Sequence, residues 1–131
     1  MFKTPLIARS YRKGEWKLEA SLLYETNTGF LIEVKEGFIT DLASIPRPLT
    51  IFFNVNGNHR KAATLHDWLY ANKGKITNEK TGKKTTLSRL NADKLFLEAM
   101  SKTGVGFLRR WAMYLGVRVG GVFYWEFGND K

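Results

Sequence analysis

An α+β fold is predicted from three observations: β-type patterning confined to the first 40 residues, helical periodicity after residue 58, and no internal repeat alternating the two. Residues 1 to 40 read as strands. Trp16 to Tyr24 alternates, Phe30 to Val34 is a second short apolar run, and Asn27-Thr28-Gly29 between them is a turn signal. An antiparallel hairpin or meander is therefore expected. In the segment from Gly37 onward, Pro46 and Pro48 end any strand and favour an extended stretch or a helix start. Asn58 to Ala71 is predicted helical, with Asn58 as its N-cap and Lys73-Gly74 as its stop. Residues 75 to 86 read as a polar β-hairpin turning at Lys80-Thr81-Gly82. Ser88 is a good N-cap for a second helix running to about Lys102 and ended by Gly104. Residues 105 to 125 form a third helix, weakened by Gly116, Gly120 and Gly121. Antiparallel strands are thus expected first, then three helices, two of them antiparallel with the polar hairpin between.

The 131 residues suit one domain over 1–131, with 44% hydrophobic and 14% aromatic residues to fill its interior. Cysteine is absent, which excludes disulfides and thiolate zinc sites. Burial must then supply the stability, and Trp16, Trp68, Trp111 and Trp125 are the bulkiest candidates. The formal charge of +9 points to anionic partners such as phosphates or lipid headgroups. Much of that excess sits in Lys73, Lys75, Lys80, Lys83 and Lys84, which read as a solvated turn. The first residues lack the apolar core of a secretory signal. No window reaches the roughly 18 apolar residues of a membrane span, since Arg109, Arg110 and Arg118 interrupt the best one.

Chemistry is legible in the two middle helices. In the first, Ala62, Leu65, His66, Leu69 and Tyr70 share one face, so His66 stands inside an apolar stripe. In the second, Asp93 shares a face with Phe96, Leu97 and Met100 and also points inward. A buried carboxylate without a partner costs several kcal/mol. Antiparallel packing that brings Asp93 to His66 resolves that cost, and Ala62 and Ala63 are small enough to let the helices approach. Tyr70, one turn beyond His66, can offer its hydroxyl to the same carboxylate. Such a pair fixes the imidazole tautomer and lets the other ring nitrogen accept a proton from water. Asp67 lies about 100° round the helix, where an exposed carboxylate would suit a hard cation such as calcium. Base and Lewis acid would then flank one water molecule, an arrangement fit for ester hydrolysis. The same three side chains also serve as a purely structural tie between two helices, with Asp67 a surface residue near Arg60 or Lys61.

Two resemblances add to this reading. The runs Gly37-Phe38-Ile39-Thr40-Asp41-Leu42-Ala43-Ser44-Ile45-Pro46-Arg47, Ala62 to Tyr70, and Ser88-Arg89 with Ala92 to Phe96 and Ala99-Met100 resemble a family of short phage and prophage proteins, domain of unknown function 1353. The likeness covers most of residues 16 to 125 and implies a phage or prophage origin. It brings no established activity. Ala62 to Tyr70 is also similar to the active-site helix of secreted phospholipases of the A-two type, with Ala62-Ala63 and Leu69 in place of cysteines. That resemblance implies His66 as general base, Asp67 as calcium ligand, Asp93 as the carboxylate orienting His66, and Tyr70 as its support. The glycine-rich calcium loop of those enzymes has no counterpart here; Asp41 is the candidate second ligand, with a helix or turn cap as its other role.

The leading expectation is therefore a phage-type, calcium-dependent, phospholipase-like ester hydrolase. Its aromatic, arginine-flanked segment Phe107 to Trp125 either docks on anionic phospholipid or forms an ordinary core helix. The rival is a non-enzymatic virion or assembly component, or an inhibitor of a host factor, whose partners are other proteins. No specific nucleic-acid partner is predicted, since helix-turn-helix, zinc and stacking signatures are all missing. A His-Asp metal phosphohydrolase would need histidines beyond His59, which is unsuitably spaced. Host cytoplasm or phage particle is the expected location.

Overall fold

The computed structural model describes residues 1–12, 15–40 and 59–127. Strands β1 (Ala8–Ser10), β2 (Trp16–Leu18) and β5 (Ile39–Thr40) make a three-stranded antiparallel sheet in the order β1–β2–β5. Strands β3 (Leu22–Glu25) and β4 (Leu31–Val34) form a separate antiparallel pair. Helix α1 (Arg60–Ala71) follows, then the hairpin β6 (Lys75–Thr77) and β7 (Lys84–Thr86), then α2 (Arg89–Lys102) and α3 (Phe107–Phe127). The architecture is α+β, as the pattern predicts.

The β3–β4 register pairs Leu22 with Val34 and Tyr24 with Ile32, and all four side chains are buried. Alternation with period two therefore lays one face of the hairpin on the core, and a one-residue slip would turn all four outward. The run Trp16 to Tyr24, expected as one strand, divides into β2 and β3 in different sheets. Non-local bonds explain the break. The Ser21 carbonyl accepts from Thr4 Oγ1 at 3.2 Å and the Ser21 hydroxyl accepts from Glu36 N–H at 3.3 Å, in place of ladder pairing. A second correction concerns the tryptophans. Trp16 and Trp111 are exposed, while Trp68 and Trp125 only flank the core; its largest buried members are Tyr24, Tyr70 and Phe96.

Helix ends follow local chemistry. Ser88 Oγ accepts the Asn91 N–H at 3.1 Å, the N-cap bond expected of it, and Gly104 takes φ +82° just past the C-terminus of α2. At the end of α1, Lys73 and Gly74 both have positive φ, and Gly74 N–H returns to Leu69 O at 2.9 Å. Gly74 has a second constraint: a Cβ there would lie 2.0 Å from the Leu87 carbonyl oxygen. The start of α1 is a correction: the helix begins at Arg60 and His59 holds the N-cap position expected of Asn58, which itself lies outside the described residues.

Helices α1 and α2 pack antiparallel: His66 meets Asp93 and Phe96, while Tyr70, further along α1, meets Asp93 and the earlier Arg89. Ala62, Ala63, Leu65 and Leu69 of α1 are fully buried, as are Phe96, Ala99 and Met100 of α2. Each large apolar side chain among these contributes roughly 1.5–3 kcal/mol by leaving water. Helix α3 closes the group through Met113, Val117 and Gly121, and is continuous despite its glycines. Gly121 has a packing reason, since a Cβ there would meet the Tyr70 hydroxyl at 2.7 Å.

Candidate functional site

Asp93 is fully buried at the meeting point of the three helices, and its four partners explain why it is tolerated there. Its Oδ1 accepts from His66 Nε2 at 2.7 Å and from the Tyr70 hydroxyl at 2.6 Å. Its Oδ2 accepts from Arg118 Nη1 at 2.8 Å, with Arg89 Nη1 at 3.5 Å. Two guanidiniums thus face one carboxylate, and both of its oxygens are engaged, the condition for keeping an ion inside a protein. Arg89 also donates to the Val117 and Arg118 carbonyls, each at 3.1 Å, and so ties α2 to α3.

This environment assigns the histidine tautomer. An ionised carboxylate only accepts, so the Nε2 of His66 carries the hydrogen, and in the neutral ring Nδ1 is the acceptor. The ring is fully buried, with the Tyr70 ring centroid at 4.3 Å and that of Phe96 at 4.5 Å. Burial pushes the Tyr70 phenol well above its ordinary pKa of 10.0, and the bond to Asp93 adds to the rise. Tyr70 therefore stays a hydrogen-bond donor through the neutral range.

The structure brings His66, Asp93 and Tyr70 together as their spacing predicts. Asp67 is a correction. Expected to be exposed, it is almost completely buried, and it accepts a hydrogen bond from Thr40 Oγ1 of β5. The helical wheel of α1 alone shows no reason for this, because the cover comes from a strand that packs on that side. The second proposed calcium ligand, Asp41, lies outside the described residues. Among the described residues no group of three or more His, Asp or Glu side chains is placed to hold a metal. Asp67 and Thr40 fall well short of the roughly six to eight oxygens calcium takes.

Arg89 and Arg118 were missed as site residues. Arg89 had a signal: it stands four residues before Asp93, on the same helical face. Arg118 is 25 residues away and gave none, appearing only as a charge interrupting an apolar run. What this constellation supplies chemically is an imidazole held in one tautomer by a carboxylate that is itself fixed by three further donors.

Comparison with known families yields a match over residues 16–117 to the model described as Protein of unknown function (DUF1353), and the chain belongs to that family. The matched span contains Thr40, His66, Asp67, Tyr70, Arg89 and Asp93, and Arg118 follows it directly. Neither the curated proteins nor the solved structures contain a match.

Proposed function

We propose that this member of the family is a phage- or prophage-encoded, phospholipase-like ester hydrolase with His66 as general base. The observation that carries the reading is the 2.7 Å bond from His66 Nε2 to Asp93 Oδ1, with Tyr70 on the same oxygen. In this reading Nδ1 takes a proton from water as the water oxygen attacks the ester carbonyl. Asp93 stabilises the imidazolium so formed. The acyl C–O bond then breaks, the imidazolium returns its proton to the departing alkoxide, and a carboxylic acid and an alcohol leave. Tyr70, Arg89 and Arg118 act as positioning residues through the carboxylate. Because the ring is fully buried, substrate reaches it only when the packing around it opens. No step runs through calcium, whose donor set is incomplete among the described residues; the ion is a variable of the assay.

The test is release of fatty acid from phospholipid vesicles, run with calcium and with a chelator. Release by the purified chain, abolished in a folded His66→Gln variant, supports the proposal. A second reading, a non-enzymatic component of a phage particle or of its assembly, is favoured by one observation: donors on α1, α2 and α3 all converge on Asp93. On that reading the network is a joint, no release occurs under either condition, and His66→Asn lowers the melting temperature instead.

A further inference from the structure

Strand β7 has a partner on one side only. Its hairpin with β6 is a sheet of two strands, which no other strand among the described residues joins, and Lys84, Thr85 and Thr86 are all exposed. The hydrogen bonds at the two ends of the ladder fix which backbone groups face outward. Asn78 N–H donates to Lys83 O at 2.7 Å, Leu87 N–H donates to Gly74 O at 2.8 Å, and Ile76 stands opposite Thr85 midway between these pairs. Antiparallel pairs alternate between bonded and non-bonded, so Thr85 directs its backbone groups at Ile76, while the N–H and C=O of Lys84 and Thr86 point away from β6. The same alternation puts the Thr85 and Leu87 side chains on the face of Ile76. There they border a cavity of about 250 Å³ that Ile76, Leu95 and Phe30 also wall, with exposed Lys94 beside them. That is smaller than the roughly 300–1,000 Å³ of pockets that take whole small molecules, and it suits a single side chain.

We infer that the free edge of β7 receives an extended, acidic segment of a partner protein, added as a third strand with one apolar side chain seated in the cavity beside Thr85. Main-chain bonds to the edge supply affinity and the cavity supplies selectivity. A segment running antiparallel to β7 exchanges its bonds with Lys84 and Thr86. Its residue opposite Thr85 then falls at a non-bonded position, where side chains come closest and share the face of Thr85. The residues on either side of it turn to the face of Lys84. Charge selects the occupant. Lys83, Lys84 and Lys94 are exposed and make no ion pair among the described residues, whereas Lys80 is answered by Glu25. Of the carboxylates nearby, Glu98 accepts from the Tyr24 hydroxyl and from Asn27 N–H, and Glu79 stands past the end of β6, the strand away from the free edge. Lysines on an edge ordinarily repel other strands. Here they discriminate: an acidic strand is drawn in and a basic one is turned away. A second copy is turned away by the same rule, since its β7 brings Lys83 and Lys84 again and no apolar side chain for the cavity. The inference is independent of turnover at His66.

The probe is a fluorescent peptide, Thr-Glu-Thr-Glu-Leu-Glu-Thr-Glu-Thr, blocked at both ends and titrated into the full chain by anisotropy. Its leucine is meant for the cavity and its glutamates for the face of Lys84. Saturable binding is expected, with protection from hydrogen exchange gained at the Lys84 and Thr86 amides. N-methylation of the two glutamates that flank the leucine removes donors aimed at β7 and should weaken binding about tenfold or more. N-methylation of the leucine, whose N–H points away from β7, should not. Serine in place of the leucine should also cost about tenfold or more. On the protein side Thr86→Pro deletes an outward N–H, a change an edge strand accepts, and Lys84→Glu reverses a selecting charge. Each should keep the wild-type melting temperature and lose about tenfold or more of the binding. Should Thr86→Pro unfold the hairpin, the N-methyl peptides decide the question on the unaltered chain. Absence of binding, equal binding of the two kinds of N-methyl peptide, or equal binding of a peptide with lysine for every glutamate would overturn the inference. An undiminished affinity of the serine peptide would do the same for the cavity. So would a concentration-dependent dimer that Thr86→Pro dissolves, which would make the edge a contact between copies.

Discussion

Replacing Asp93 by Asn tests the centre of the site at nearly constant volume. Asn keeps one carbonyl oxygen and substitutes an NH2 group for the other oxygen. If the oxygen stays with His66 and Tyr70, the NH2 faces Arg118 Nη1, where the acceptor now stands at 2.8 Å, and donor meets donor. If the amide turns over, Arg118 regains an acceptor, but the NH2 must donate to His66 Nε2 and the imidazole is forced into its other tautomer. Either way the charge that balances Arg118 and Arg89 is gone. Breaking a buried pair costs about 3–5 kcal/mol, and because the two arginines keep 28% and 18% of their side-chain surface in contact with water, the lower end applies. A loss of about 3 kcal/mol moves a urea midpoint by ~2 M at the slope of a small domain. Nitrogen-15 NMR of the imidazole reads the tautomer directly, and a wrong tautomer lowers turnover by roughly 10⁴-fold, as in Ser-His-Asp triads. Adding Arg118→Met to Asp93→Asn should recover part of the lost stability, giving a coupling of about 1–3 kcal/mol in the double-mutant cycle. A destabilisation below about 1 kcal/mol, or no coupling, would refute the assignment of Asp93 as an ion held by these cations.

Gly121→Ala should push the Tyr70 hydroxyl off Asp93, because the new methyl would sit 2.7 Å from that oxygen. Overpacking of about 1–3 kcal/mol is offset by about 1 kcal/mol of helix propensity, so a net loss of about 0–2 kcal/mol is expected in urea unfolding, smaller in a Tyr70→Phe background. Alkaline pH supplies another check. Burial raises the Tyr70 phenol, and burial with the bond to Glu98 raises that of Tyr24, both from an ordinary 10.0. A raised folded-state pKa means the native protein holds its proton longer, so the stability due to these groups is intact below about pH 10 and is lost as pH climbs above it. Urea midpoints between pH 9 and pH 11 should fall for the wild type and fall less steeply for Tyr24→Phe and Tyr70→Phe.

The parts of the fold and site readable in the sequence were those governed by contacts within one element. The stripe through His66 and Tyr70, the face bearing Asp93, the Ser88 cap and the Lys73-Gly74 stop each depend on spacing along a single helix or turn, and each stands as read. Pairing Asp93 with His66 needed one further step, the cost of an unaccompanied carboxylate in the interior. What escaped depends on elements far apart in the chain. The burial of Asp67 is set by a strand 27 residues earlier, and the split of β2 from β3 by Thr4 and Glu36. Trp16 and Trp111 show that bulk does not predict burial. The cap of α1 fell one residue later than expected, at His59, and Asp41 lies outside the described residues, so its assigned role stands as an expectation only.

The arrangement around Asp93 has a consequence for the order in which the chain assembles. His66, Tyr70 and Arg118 stand 27, 23 and 25 residues from it, on both sides, so no short peptide holds the complete set. During synthesis the first two helices emerge well before residue 118 leaves the ribosome. Until then the aspartate lacks one of its two guanidinium partners, and docking those helices would strand an under-neutralised anion in a dry seam. The late helix thus acts as a keystone: the interior locks only once Arg118 has joined the other partners of that aspartate.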